Sequence, residues 1–228
     1  MSGTLYGVGV GPGDPELMTV KAWRLVSTAK VIAYLAANGG DSTARAIAAP
    51  FFADDVEELA IDMPMRPERE LGQQAYDHAA ALIAARLDAG NDVVMLCEGD
   101  PFFYGSFMYV FERLAARYQT VVVPGVTSIT ACAAALASPL CARDDVLKIL
   151  PATMDETALG RELASAQSAA IIKVGRHFGK VKRALTAHHL LDKAMAVTYA
   201  TRQDQTIEAV SKISGDSLPY FTTIIVRA

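Results

Sequence analysis

The sequence is poor in cysteine, carries no strong excess of either charge and has no unbroken apolar run long enough to span a membrane. Its three cysteines, Cys97, Cys132 and Cys141, are odd in number, and no two stand at CxxC spacing. Neither a disulfide framework nor a zinc knuckle is indicated, and they read as reduced, mostly core residues. With 21 basic against 25 acidic residues the formal charge is −4. That sign is opposite to the electrostatic footprint of a general nucleic-acid binder, so nucleic acid is not an expected partner. No charge occurs between Arg117 and Arg143, but Pro124, Gly125, Thr127, Ser128, Thr130 and Pro139 interrupt the stretch. A spanning helix needs roughly 20 continuous apolar residues, so a buried strand, turn and helix are expected there and no membrane. Residues Met1 to Thr4 lack the basic start and apolar stretch of a signal peptide, which predicts a cytoplasmic protein. What remains is a chain of 228 residues, 52% hydrophobic and 20% charged. That is too apolar for disorder and long enough for one large domain or two small ones.

Short apolar, β-branched runs at Leu5 to Val10, Val31 to Leu35, Val56 to Ile61, Val93 to Cys97 and Thr120 to Val123 have the pattern of strands buried on both faces. Helical spacing separates most of them: Ala22, Leu25, Val26 and Ala29 after a Thr19 cap; Leu71, Ala75, Ala79, Leu82 and Ile83 before Gly90; Phe107, Val110, Phe111 and Leu114. Such alternation predicts a parallel sheet with right-handed crossovers. From Val146 the rhythm loosens into strands at Val146 to Leu150, Ala170 to Val174, Ala194 to Tyr199, Thr206 to Val210 and Phe221 to Val226, with helices near Glu156 to Ala164 and Lys180 to Ala187. Only Lys212 to Pro219 separates the last two strands, so a hairpin is expected between them. The prediction is an α/β protein of two domains, 1–124 with a parallel sheet and 125–228 with a mixed α+β sheet.

Three strand ends carry candidate chemistry. The first strand runs into Gly9-Val10-Gly11-Pro12-Gly13-Asp14-Pro15. A dinucleotide reading fails, because either register puts Pro12 or Asp14 where the third glycine belongs, and no acidic residue ends the second strand. The segment Gly175-Arg176-His177-Phe178-Gly179-Lys180 likewise falls one residue short of a P-loop. The most continuously apolar strand leads into Cys97-Glu98-Gly99-Asp100-Pro101-Phe102-Phe103-Tyr104-Gly105-Ser106. In an open parallel sheet ligands bind beyond the carboxyl ends of the strands, and two carboxylates beside glycines suit a ligand with hydroxyls or positive charge. The third motif is Val123-Pro124-Gly125-Val126-Thr127-Ser128, where Thr127 or Ser128 would also cap the next helix.

A fourth feature is electrostatic. Between Ser165 and Leu191 lie Lys173, Arg176, Lys180, Lys182 and Arg183 with no acidic residue, so this window carries +5. The remaining 16 basic and 25 acidic residues leave −9 elsewhere. Arg176, following a buried strand, suits carboxylate recognition. His188 and His189 lack a nearby third ligand, and no metal site is expected.

In order and spacing the three motifs resemble those of the tetrapyrrole (corrin/porphyrin) methyltransferases, and the resemblance covers the whole chain. The runs Pro12 to Thr19, Phe103 to Tyr109, Lys173 to His177 and Pro219 to Phe221 are most similar to the cobalamin-pathway branch that acts on precorrin-2. The resemblance implies two α/β domains enclosing S-adenosylmethionine in a cleft, a tetrapyrrole substrate and a homodimer. Carried over by position, Pro12 would line the cleft floor, Glu98, Gly99, Asp100 and Phe103 would contact the amino-acid and ribose portions of the methyl donor, and Thr127 and Ser128 would hold its carboxylate end. Val174, Ala200 and Thr222 would approach its adenine. Tyr104, Lys173, Arg176 and His177 would meet the substrate, and Asp100, Tyr104, Lys173 and His177 are the candidates for a mild base. A sibling corrinoid methylase and a non-catalytic nucleotide-binding module of the same fold remain alternatives.

Overall fold

Strands that alternate side chains between two covered faces must be apolar at every position, and this explains the first half of the chain. The computed structural model describes residues 2–37, 40–63 and 69–227. It divides into two compact units, Met1–Thr127 and Ser128–Ala228.

The first unit contains strands β1 (Leu5–Gly9), β2 (Val31–Ala37), β3 (Glu57–Met63), β4 (Val93–Cys97) and β5 (Thr120–Val123), with helices α1 (Val20–Thr28), α2 (Thr43–Ala48), α3 (Arg69–Asp88) and α4 (Phe107–Leu114). All five strands are parallel, in the order β3-β2-β4-β1-β5. From β4, Val93, Met95 and Cys97 pack with Ala79 and Ile83 of α3 and Phe107 and Val110 of α4. Val94 and Leu96 enter the opposite core with Ala22 and Val26 of α1 and Ile47 and Ala48 of α2. The edge strand β3 is covered on one face only, so Leu59 and Ile61 alternate with exposed Glu58, Ala60 and Asp62. The Thr19 hydroxyl caps α1 by accepting from the Ala22 N–H at 3.1 Å, and Gly90 turns the chain out of α3 at φ 83°, as the sequence predicts.

The second unit contains helix α5 (Ser128–Ala135), strand β6 (Leu147–Pro151), helix α6 (Glu156–Ala164), strand β7 (Ser168–Ile172), helix α7 (Phe178–Ala187) and strands β8 (Ala194–Thr198), β9 (Thr206–Ala209) and β10 (Thr222–Arg227). The sheet order is β6-β7-β10-β8-β9, with β6 and β7 parallel and the other pairs antiparallel. The hairpin expected between the last two strands is therefore absent: β9 pairs with β8, and β10 inserts between β7 and β8. Burial is the physical reason. Strand β10 is buried at five of its six positions and needs a neighbour on each side, whereas Thr206, Ile207 and Glu208 of β9 are exposed and suit an edge. Leu159 and Leu163 of α6 and Phe178, Val181 and Leu185 of α7 share one core with Ile171 and Ile224 of the sheet.

Two cysteines are core residues, as expected, but Cys141 is exposed. Burial pushes the Cys97 thiol far above the usual range and raises Cys132 to about 11, against the pull of a hydrogen bond with Thr223. Since the thiolate is the reactive species, one thiol per native chain should react with a disulfide reagent at neutral pH and three after denaturation, Cys141→Ser removing the native signal. Two fast thiols in the native protein would contradict this assignment. No helix among the described residues is long and apolar enough to cross a membrane.

Candidate functional site

The strand order brings the three motifs together. Strand β1 lies between β4 and β5, so the loops after Gly9, Cys97 and Val123 leave the same end of three neighbouring strands. The contact between them is made by backbone. Gly11 (φ 84°) and Gly99 (φ 62°) form an antiparallel bridge, with the Gly99 N–H donating to the Gly11 carbonyl at 2.8 Å. A Cβ on Gly9 would stand 2.5 Å from the Gly99 carbonyl oxygen, and one on Gly125 only 2.0 Å from the same atom. Glycine is required where backbones approach this closely, so the motif glycines weld the three loops into one surface. Pro12 is half-buried on that surface, and Asp14 accepts from the Glu16 N–H at 2.9 Å to close the turn into α1.

Asp100 locks two of the loops. Its Oδ1 accepts from the N–H groups of Phe102 and Phe103 at 2.9 and 3.1 Å, and its Oδ2 accepts from the Gly125 N–H at 3.1 Å. The Oδ2 bond ties Gly125 to the loop after β4 within the first unit, Met1–Thr127. Both carboxylate oxygens are thereby committed to the backbone. Phe103 stacks edge-on with the exposed Tyr104, whose φ of 55° is a strained value for a side-chain-bearing residue.

Glu98 points a different way. Its Oε1 accepts from the Ala44 N–H in the first turn of α2, at 3.2 Å. With Leu35, Gly105 and Ser106 it lines a cavity of about 20 Å³, enough for about one water. Glu98 is exposed as a residue, while its carboxyl group is desolvated. This desolvation raises the carboxyl above its usual range, opposed only by hydrogen bonds from its own backbone and from Ala44. Nothing in the sequence marks Ala44, since a backbone N–H has no residue signature.

In the second unit the segments after β7 and β8 and the one before β10 meet at one edge of the sheet, because β10 runs antiparallel to both. The Tyr199 N–H donates to the Phe221 carbonyl at 2.9 Å, and the Leu218 N–H to the Gly175 carbonyl at 3.0 Å. This edge gathers Val174, Ala200 and Thr222, all buried. The hydroxyls of Thr222 and Thr198 bond each other at 2.9 Å. Lys173, Tyr199 and Thr201 all have positive φ, at 57°, 53° and 70°. Three such residues in one edge store backbone strain of about 1–3 kcal/mol each, which the surrounding fold maintains. Ser128 opens α5.

The basic window is smaller than its charge suggests. Lys180 donates to the Met154 carbonyl, Lys182 to the Ile213 carbonyl at 2.6 Å, and Arg183 pairs with Glu156 at 2.7 Å. Those three cations support the unit itself. Arg176 is exposed and makes no ion pair among the described residues, beside half-buried Lys173 and His177. Burial, then the nearby Lys180 and Arg176 charges, hold the His177 imidazole below its ordinary pKa, so it is neutral at neutral pH.

The model of the Tetrapyrrole (Corrin/Porphyrin) Methylases matches residues 4–213. Among curated proteins, the chain is 41% identical to "Precorrin-2 C(20)-methyltransferase" of Sinorhizobium sp, over 98% of this chain and 95% of that one. It is 43% identical to the "Cobalamin biosynthesis protein CobIJ" of Mycobacterium tuberculosis over 96% of this chain, which spans 45% of that longer protein. It is 29% identical over its whole length to "Cobalt-precorrin-2 C(20)-methyltransferase" of Salmonella typhimurium, covering 97% of it. The fold is shared with the cobalt precorrin-4 methyltransferase CbiF, at TM-score 0.78 and 24% identity over 98% of this chain and 94% of that one. It is shared also with a uroporphyrin-III C-methyltransferase from Thermus thermophilus complexed with S-adenosylhomocysteine, at TM-score 0.71 and 22% identity over 98% and 97%.

Proposed function

The chain belongs to the tetrapyrrole (corrin/porphyrin) methylases, and we propose that it transfers a methyl group from S-adenosylmethionine to C20 of precorrin-2, giving precorrin-3A in cobalamin biosynthesis. The observation that carries this reading is the 41% identity, nearly end to end, to a precorrin-2 C(20)-methyltransferase. The lower 29% identity to a relative named for the cobalt-containing substrate favours the metal-free tetrapyrrole. Methyl transfer to precorrin-2 and to its cobalt complex, with NMR location of the new methyl, tests both points. A methyl at another carbon, or faster turnover of the cobalt complex, would overturn the corresponding part.

The sulfonium of S-adenosylmethionine supplies its own activation, so the protein need offer no nucleophile. Its task is to align an electron-rich ring carbon with the methyl, and orientation of this kind lowers barriers by about 7–11 kcal/mol in well-placed systems. The welded loops suit the donor, because they hold three strand ends of one parallel sheet together as a single backbone surface. Gly99, Asp100, Phe103, Pro12, Thr127 and Ser128 are assigned to its amino-acid and ribose portions, and Val174, Ala200 and Thr222 to its adenine. Detection of co-purified S-adenosylhomocysteine by mass spectrometry distinguishes a working enzyme from a module that has lost the cofactor.

Precorrin-2 carries many acetate and propionate groups, and Arg176, Lys173, His177 and Tyr104 are assigned to them. Arg176→Ala should raise the substrate KM about tenfold and leave kcat unchanged, since one carboxylate contact of about 1.4 kcal/mol is lost equally from ground and transition states. An unchanged KM with a collapsed kcat would remove Arg176 from this role. The active form is a cytoplasmic homodimer, which sedimentation of the purified protein checks.

A further inference from the structure

Transfer to C20 leaves that carbon with its original hydrogen. The new C20–CH3 bond forms as the S–CH3 bond breaks with its electron pair going to sulfur. Conjugation returns when the C20–H bond breaks, its electrons re-enter the ring system and the proton passes to a base. Among the groups named as candidate bases, Asp100 has both oxygens bound to backbone N–H groups, and Tyr104 and Lys173 hold partners of their own.

Glu98 has what they lack. It is the first residue beyond the central strand β4 and adjoins the Gly99–Gly11 bridge of the loops assigned to the methyl donor. It is an exposed residue, and it lines a water-sized cavity together with Ser106. One oxygen is fixed by the Ala44 N–H. We propose that Glu98 is the base that receives the C20 proton, held in place by Ala44 and drained through the cavity beside Ser106. This rests on the C20 reading above. The charged surroundings leave the role to Glu98: Cys97 on β4 holds its proton, Asp100 is bound to backbone, and Arg45, next to Ala44 on α2, is committed to Glu58. A carboxyl raised by desolvation is better matched to accepting a proton near neutral pH than an ordinary one.

The test compares wild type, Glu98→Gln and Glu98→Asp on precorrin-2 and on precorrin-2 deuterated at C20, across pH, with S-adenosylmethionine affinity measured by calorimetry. Glutamine keeps an oxygen for the Ala44 N–H and the shape of the residue. Its kcat should fall by about 10²- to 10⁴-fold, with cofactor affinity unchanged and a larger C20 deuterium effect as deprotonation becomes limiting. Because the base must be unprotonated, wild-type kcat should fall as pH drops through the raised Glu98 pKa, and this limb should vanish in Glu98→Gln. Glu98→Asp should retain activity between the two, with the limb present. A Glu98→Gln enzyme with near wild-type kcat and the same acidic limb overturns the proposal, as does one whose only defect is cofactor affinity. If Glu98→Gln does not fold, a Glu98→Asp enzyme with wild-type kcat and profile overturns it equally. A wild type that methylates another carbon defeats the functional reading instead, and its products reveal that directly.

Discussion

Gly125→Ala should destabilise the protein by about 3 kcal/mol or more and abolish measurable binding of S-adenosylmethionine. The added Cβ would stand 2.0 Å from the Gly99 carbonyl oxygen and 2.9 Å from the Cα and carbonyl carbon of Gly9. All three are backbone atoms, so no side-chain rotation relieves the clash. The Gly125 loop would have to retreat from β1 and from the loop after β4, and retreat stretches the Asp100–Gly125 hydrogen bond and the bridge between Gly11 and Gly99. Overpacking alone costs typically 1–3 kcal/mol, and losing a buried polar contact adds to it. Gly72→Ala supplies the contrast. Beyond its own helix backbone and chain neighbours, no atom of the described residues lies within 4 Å of its hypothetical Cβ, and alanine within α3 should stabilise by about 0.5–1 kcal/mol. Urea unfolding and calorimetric titration of both variants provide the check. A Gly125→Ala protein with wild-type midpoint and affinity would mean that the three loops are not welded in the way their glycines indicate.

Where the sequence is informative follows from what each element must satisfy. Strands β1, β2 and β4 are legible because both faces are covered, which makes every position apolar, and β3 is legible in its alternation because one face is not. The three motif loops are visible as glycine-rich strand ends. Their convergence depends on β1 lying between β4 and β5, a fact of sheet order that no local pattern encodes. The same blindness produced the expected hairpin between β9 and β10. Short separation along the chain favours pairing, but β10 needs two neighbours and takes the centre, with Val210 to Phe221 carrying the chain past β8. The +5 of the basic window does not show which cations are committed, because the acceptors of Lys180 and Lys182 are main-chain carbonyls of Met154 and Ile213. Carbonyls occur at every residue and leave no trace in composition. The partner of Glu98 is hidden for a related reason: the Ala44 N–H lies 54 positions away and is equally anonymous.

Asp100→Asn should weaken S-adenosylmethionine binding by about 10- to 100-fold while the affinity for the tetrapyrrole changes less. The carboxylate accepts three N–H groups through two oxygens, whereas an amide has one oxygen and a donor in place of the other. If the amide oxygen stays with Phe102 and Phe103, its NH2 opposes the Gly125 N–H. If it turns toward Gly125, the NH2 opposes two donors instead. The first orientation sacrifices one bond rather than two and prevails, so the cost falls on the Pro124–Gly125 turn. An unsatisfied buried donor costs about 1–3 kcal/mol, and each 1.4 kcal/mol is tenfold in affinity, which gives the stated range. Asp100→Ala frees all three donors and should lose more in both affinity and unfolding midpoint. The pattern separates Asp100 from Glu98. Substitution of a residue that shapes the loops lowers affinity for the donor and leaves the acidic limb of the pH profile intact, and substitution of the proton acceptor does the reverse. Calorimetry showing an unchanged donor affinity in Asp100→Asn, or a larger loss for the tetrapyrrole, would take the donor away from these loops and reassign them to the substrate.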